Sequence, residues 1–146
     1  MTSTPPASPK PPSRVHVAWA GGERFDAGRP GGPTLRLDGT GETGQSPVDA
    51  LLSALASCTA VDVVEILAKR RTPVSSLAVD AVGERANAVP ARFTRITLRY
   101  RIAGAGIQRA DAERAVDLAV TKYCSVRSSL DPAMPVEWTV EVEERA

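Results

Sequence analysis

A chain of 146 residues, 42% hydrophobic and 24% charged, is the size of one domain with a core of its own. Its net charge of +1 gives no electrostatic reason to expect nucleic acid or an anionic membrane as a partner, and no apolar run approaches membrane-spanning length. One histidine and two cysteines are too few for a standard structural zinc site.

The N-terminus lacks the apolar stretch of a signal peptide, so a cytoplasmic location is expected. There the cysteines would be reduced at rest, and a disulfide between them would serve catalysis rather than structure. Residues 1–14 carry five prolines and almost nothing apolar, which reads as a disordered tail. Residues 15–146 are expected to form a single domain.

Val15–Trp19 reads as a strand and Gly21-Gly22 as a turn. A second, short strand runs through Arg24 and Phe25, and a third through Thr34–Leu37, with Leu35 and Leu37 on one face. Asp38–Gln45 (DGTGETGQ) is expected to be a flexible loop. Its glycines match neither a phosphate-binding loop nor a dinucleotide fingerprint.

Ser46–Arg71 (SPVDALLSALASCTAVDVVEILAKRR) then reads as one long helix. Ser46 suits the N-cap, Pro47 the first helical position, and Asp49 the positive end of the dipole. Lys69, Arg70 and Arg71 suit the other end, and Pro73 stops it. Apolar residues occupy nearly every face of its middle, so a buried central helix is expected.

Beyond Pro73 the period changes to two. Leu77, Val79 and Ala81 share one face of 76–85; Thr94, Ile96, Leu98, Tyr100 and Ile102 share one face of 94–102. Gln108–Tyr123 is amphipathic at helical spacing, Cys124 follows with a short helical turn, and Val136–Val142 is a last strand. Arg95, Arg99 and Arg101 on the outer face of 94–102 would complement Glu137 and Glu141 if the two strands are neighbours. The order is α+β, with antiparallel sheets around a long central helix. One small sheet cannot cover every face of that helix, so a homodimer is expected.

Cys58, near the middle of the helix, and Cys124 admit two readings. They are two small buried hydrophobes, or they are a redox pair in which one thiolate attacks a peroxide and the other resolves the sulfenic acid. The second needs a cation near Cys58, because Cys58 lies far from the helix N-terminus and Asp62, one turn on, opposes ionisation. Arg24, Arg29 or Arg36 could supply it. Cys124 is better placed for dipole help if it opens the short turn.

The chain resembles the OsmC/Ohr family of organic-hydroperoxide-reducing and osmotically inducible proteins, and within it the YhfA-like branch. The resemblance rests on SPVDALLSALASCTAVDVVEILAKRR at 46–71, KYCSV at 122–126 and VAWAGGERF at 17–25, and extends over roughly residues 15–144. It implies an intertwined homodimer, with each long helix between sheets of two subunits. It also implies thiol peroxidase chemistry on organic or lipid hydroperoxides without metal or prosthetic group, using an external thiol or dithiol reductant such as a lipoyl dithiol. By motif, Cys58 falls on the peroxidatic position, Cys124 on the resolving position and Arg24 near the catalytic arginine. One residue departs from the organic-hydroperoxide branch: Val48 stands where that branch has a glutamate that orients the arginine. Asp49 falls on the helix face opposite Cys58, and reads as a cap. The alternative on the same scaffold is a non-enzymatic protein that binds an apolar small molecule or senses oxidants.

Overall fold

Short alternating segments joined by glycine turns build the first sheet of the computed structural model, which describes residues 8–143. The expected tail therefore lies partly outside the described residues; 8–14 is exposed and carries no helix or strand. Strands β1 (His16–Trp19), β2 (Arg24–Gly28) and β3 (Thr34–Asp38) form an antiparallel meander. Gly21 and Gly22 turn the chain at φ 97° and 58°, a region glycine enters without steric cost. β2 runs three residues beyond Phe25 because Gly28 pairs with both His16 and Thr34; a Cβ there would meet the Pro33 carbonyl oxygen at 2.2 Å.

The stretch after β3 is more ordered than its glycines suggest. Asp38, 2% exposed, accepts hydrogen bonds from the backbone N–H and hydroxyl of Thr40 (2.9 and 2.7 Å) and of Thr43 (3.1 and 2.6 Å). The chain packs as two compact units dividing at Pro47.

Helix α1 (Pro47–Lys69) starts where Ser46 and Pro47 imply and stops two residues short of the expected Arg71. It ends in a Schellman motif: Thr72 N–H donates to Leu67 O and Arg71 N–H to Ala68 O, both at 3.0 Å, with Arg71 left-handed at φ 64°. By length and composition alone α1 could cross a membrane, contrary to the expectation that no segment approaches that length. A core helix passes the same measure, and α1 buries Leu55, Thr59, Val63 and Leu67 in the protein's own core. The expectation of burial all round is corrected too. Only that i, i+4 stripe is fully buried, while Leu51, Val61 and Val64 are 38%, 56% and 40% exposed. The physical reason is that one sheet presents one apolar face.

That sheet has the order β4 (Ser76–Arg85), β5 (Phe93–Ala103), β6 (Val136–Glu143). Central β5 turns Ile96, Leu98, Tyr100 and Ile102 inward, all fully buried, against side chains of α1 and α2 (Arg109–Leu118). Thr94 leaves the expected alternation. A bulge opposite Glu84 and Arg85 exposes it and turns Phe93 against the core.

β4 and β5 are antiparallel as expected, but β5 and β6 are parallel, so this sheet is mixed. The cause lies in the connection. Between β5 and β6 the chain passes through α2, a π-helical turn (Ala119–Tyr123) and α3 (Ser125–Ser128), and this crossover returns it to the end where β5 began. The charge complement still forms on the outer face, where Arg95 pairs with Glu137 and Arg99 with Glu141 at 2.5 Å. Arg101 pairs across the other edge with Asp80 at 3.2 Å rather than with a glutamate of β6.

Candidate active site

Cys58 sits one position before Thr59 in the buried stripe of α1, so the helix sets it at the edge of the core, half-buried. Cys124 is 4% exposed and reaches the same place from the other end of the chain. The two thiols lie within hydrogen-bonding reach of each other, and both are free.

Local winding puts Cys124 there. Regular α2 ends at Leu118, five residues before the amphipathic pattern does. The wider π turn follows, closed by Cys124 N–H to Ala119 O at 2.9 Å. Cys124 then leaves helical conformation (φ −72°, ψ 111°) and becomes the N-cap of α3. Its Sγ accepts the Arg127 N–H at 3.3 Å. The Arg127 guanidinium donates in turn to the carbonyl oxygens of Asp131 (3.0 Å) and Met134 (2.9 Å), tying the approach to β6 to this corner.

Below the thiols is a polar contact that the apolar pattern concealed. The Thr59 hydroxyl donates to Ala56 O at 2.9 Å, which leaves its oxygen to accept from buried Tyr100 Oη at 2.6 Å. Burial drives the Tyr100 hydroxyl up to about 12, against the lowering effect of the Thr59 bond, and the proximity of Cys124 adds to the rise. Burial likewise pushes the Cys124 thiol above its ordinary value; the Arg127 N–H opposes the shift, and Cys58 reinforces it. Thr59, Tyr100 and Arg127 were not picked out by the sequence reading. The available signals were the Tyr100 hydroxyl among apolar residues on the inner face of β5 and a basic residue three positions after Cys124.

The candidate cations belong to the N-terminal unit. Arg24 opens β2, is exposed, and donates from Nε to Gly21 O at 3.3 Å. Arg29 is exposed, and Arg36 is engaged by Asp26 through two bonds of 2.7 and 3.3 Å. The role of Arg24 toward the thiols rests on the resemblance. Asp62 stands on α1, where burial, then Glu65, raises its carboxyl. Among the described residues, no three His, Cys, Asp or Glu side chains gather as metal ligands would.

The fold and site define an α+β protein with a long helix, two sheets and a paired dithiol. The family model described as OsmC-like protein matches residues 39–139. Protein YhfA of Escherichia coli K12 is 35% identical over 130 residues, which cover 88% of this chain and 97% of YhfA. The chain belongs to the OsmC family, as its two cysteine motifs implied. A hypothetical protein of Aquifex aeolicus VF5 superposes with a TM-score of 0.83 at 26% identity, over 94% of this chain and all of that one. An organic hydroperoxide resistance protein OsmC of Legionella pneumophila shares the fold, with a TM-score of 0.64 at 15% identity over 91% of this chain and all of that one.

Proposed function

We propose that this protein is a cytoplasmic, cysteine-based thiol peroxidase that reduces organic or lipid hydroperoxides and works as a homodimer. The observation that carries the reading is the contact between the Cys58 and Cys124 thiols, which come from residues 66 positions apart in the chain and meet in one corner of the core. The OsmC-family membership supports it, as does the shared fold with a relative named for hydroperoxide resistance.

Half-buried Cys58 is the thiol to meet substrate, and buried Cys124 is the thiol to resolve. The Cys58 thiolate attacks the distal peroxide oxygen and breaks the O–O bond. The alkoxide leaves, takes a proton and departs as the alcohol, and Cys58 holds a sulfenic acid. The Cys124 thiolate attacks that sulfur, water leaves, and the Cys58–Cys124 disulfide forms. An external dithiol supplies two electrons to restore both thiols. Arg24 would hold the thiolate and polarise the peroxide. No metal or prosthetic group takes part.

One observation favours a slower, oxidant-sensing variant of the same chemistry. The Cys124 thiol is pushed up by burial, which leaves little thiolate to resolve a sulfenic acid at neutral pH. Turnover separates the two readings. With excess cumene hydroperoxide and a dithiol, the peroxidase consumes many equivalents per chain, and Cys58→Ser abolishes consumption. Arg24→Ala lowers it by about a hundredfold or more, the scale of one lost transition-state hydrogen-bond donor to charge. Consumption that stops at one equivalent, with no effect of Arg24→Ala, contradicts the peroxidase.

A further inference from the structure

A cleft of about 460 Å³ opens beside Cys124, on the C-terminal unit. Cys124 lines it; Cys58 does not. Its apolar wall is Val120, Leu130 and Val136, and its charged side chains are Lys122 and Arg127. No aspartate or glutamate lines it. Arg127 donates from its two terminal nitrogens to backbone carbonyls, with other N–H groups not so used, and Lys122 stands over the Tyr123 ring at 5.3 Å, so neither contact removes charge. The cleft is therefore cationic in a chain whose net charge is only +1.

Thiol–disulfide exchange needs the attacking sulfur to approach along the S–S bond, from behind the sulfur it attacks. Because Cys124 lines this cleft and Cys58 does not, a nucleophile held here has the Cys124 sulfur as its target once the two are joined. We infer that the cleft is the entry site for the reductant, and that it takes a thiol carrying a carboxylate or similar anion, held by Lys122 and Arg127. This rests on the dithiol chemistry proposed above and names the partner of its second half. The donor thiolate attacks Cys124 Sγ. The S–S bond breaks and its electron pair leaves on Cys58, which takes a proton. A second thiol then attacks the donor sulfur of the mixed disulfide, freeing Cys124 and releasing the oxidised donor. Two electrons pass from donor to protein.

The test forms the disulfide with diamide, so it does not depend on peroxide. Reduction is then followed by acid-quenched mass spectrometry with 3-mercaptopropionate or neutral 2-mercaptoethanol. Lys122→Gln and Lys122→Glu are compared with Lys69→Gln, which changes the charge of a residue that does not line the cleft. The expected result is that the mercaptopropionate rate relative to mercaptoethanol falls by about threefold or more in the Lys122 variants and with added salt, while Lys69→Gln leaves it unchanged. The trapped adduct is on Cys124, with Cys58 free to alkylate. An unchanged ratio, or an adduct on Cys58, overturns the inference. Failure of diamide to form the disulfide overturns both it and the peroxidase reading. The expected ratios in a protein that does not turn over peroxide would sustain the cleft and remove the peroxidase.

Discussion

Thr59 has one hydroxyl proton, and Ala56 O takes it, so Tyr100 must be the donor in their shared bond. This makes the two substitutions unequal. Tyr100→Phe removes a donor but leaves Thr59 with its own bond made, and should cost about 1 kcal/mol. Thr59→Val leaves the Tyr100 hydroxyl buried without its acceptor and should cost more, about 1–3 kcal/mol. Urea midpoints of the two variants check the order; equal losses would contradict the assigned donor. A buried thiol raised above its ordinary value also predicts how Cys124 alkylates. In Cys58→Ser, which removes the lesser of the two raising influences, its iodoacetamide rate should still climb through pH 9 without levelling. A plateau below pH 8 would contradict this. The two cysteines were legible because each sits in its own motif. The Thr59–Tyr100 contact was not, since its members lie 41 residues apart and each fits an apolar pattern as well as a polar one.

At the scale of elements, the Asp38 loop predicts a pH response. Its carboxyl is held well below the ordinary 3.8, chiefly by the Thr43 and Thr40 hydroxyls. A depressed folded-state value means stability that is fully present above the unfolded value, and is lost as pH falls from there through the folded one. Asp38→Asn should therefore weaken the N-terminal unit at pH 7 and flatten its response below pH 4. Trp19 fluorescence in a Trp138→Phe background reads this unit alone, and an unchanged acid limb would contradict the prediction. At the other end of α1, Arg71 occupies the left-handed position that glycine takes at lower cost. Arg71→Gly should stabilise by about 0.5–1 kcal/mol in chemical denaturation, the strain relieved less the entropy glycine loses.

The start of α1 was readable from Ser46 and Pro47, and its end to within two residues from Pro73. The direction of β6 was not. Diagonal contacts between Arg95 or Arg99 and the glutamates can form in either orientation, so charge complementarity identified the neighbour without its polarity. The deciding fact was the helical crossover, whose π turn has no sequence signature of its own.

For the whole molecule, composition said that α1 is apolar all round, and packing shows what one chain does with it. A single stripe enters the core, and Leu51, Val61 and Val64 remain exposed. If a second copy covers them, sedimentation should give twice the mass of one chain, and Val61→Glu with Val64→Glu should shift it to the mass of one. A wild-type monomer at micromolar concentration contradicts the dimer. The family, the α+β order and the thiol pair were legible at this scale because the motifs span the chain in order. Which faces stay uncovered was not, because hydrophobic content does not count the surfaces available to bury it.

The central claim is that Cys58 and Cys124 form one reactive pair with distinct roles. Its most direct test is intact mass and free-thiol count after one equivalent of an organic hydroperoxide, in wild type, Cys58→Ser and Cys124→Ser. Wild type should lose both thiols to an internal disulfide, Cys124→Ser should stop at a sulfenic acid on Cys58, and Cys58→Ser should not react. Survival of both wild-type thiols at the rate of an ordinary exposed cysteine would contradict the claim, leaving the pair as two small residues packed side by side in a core.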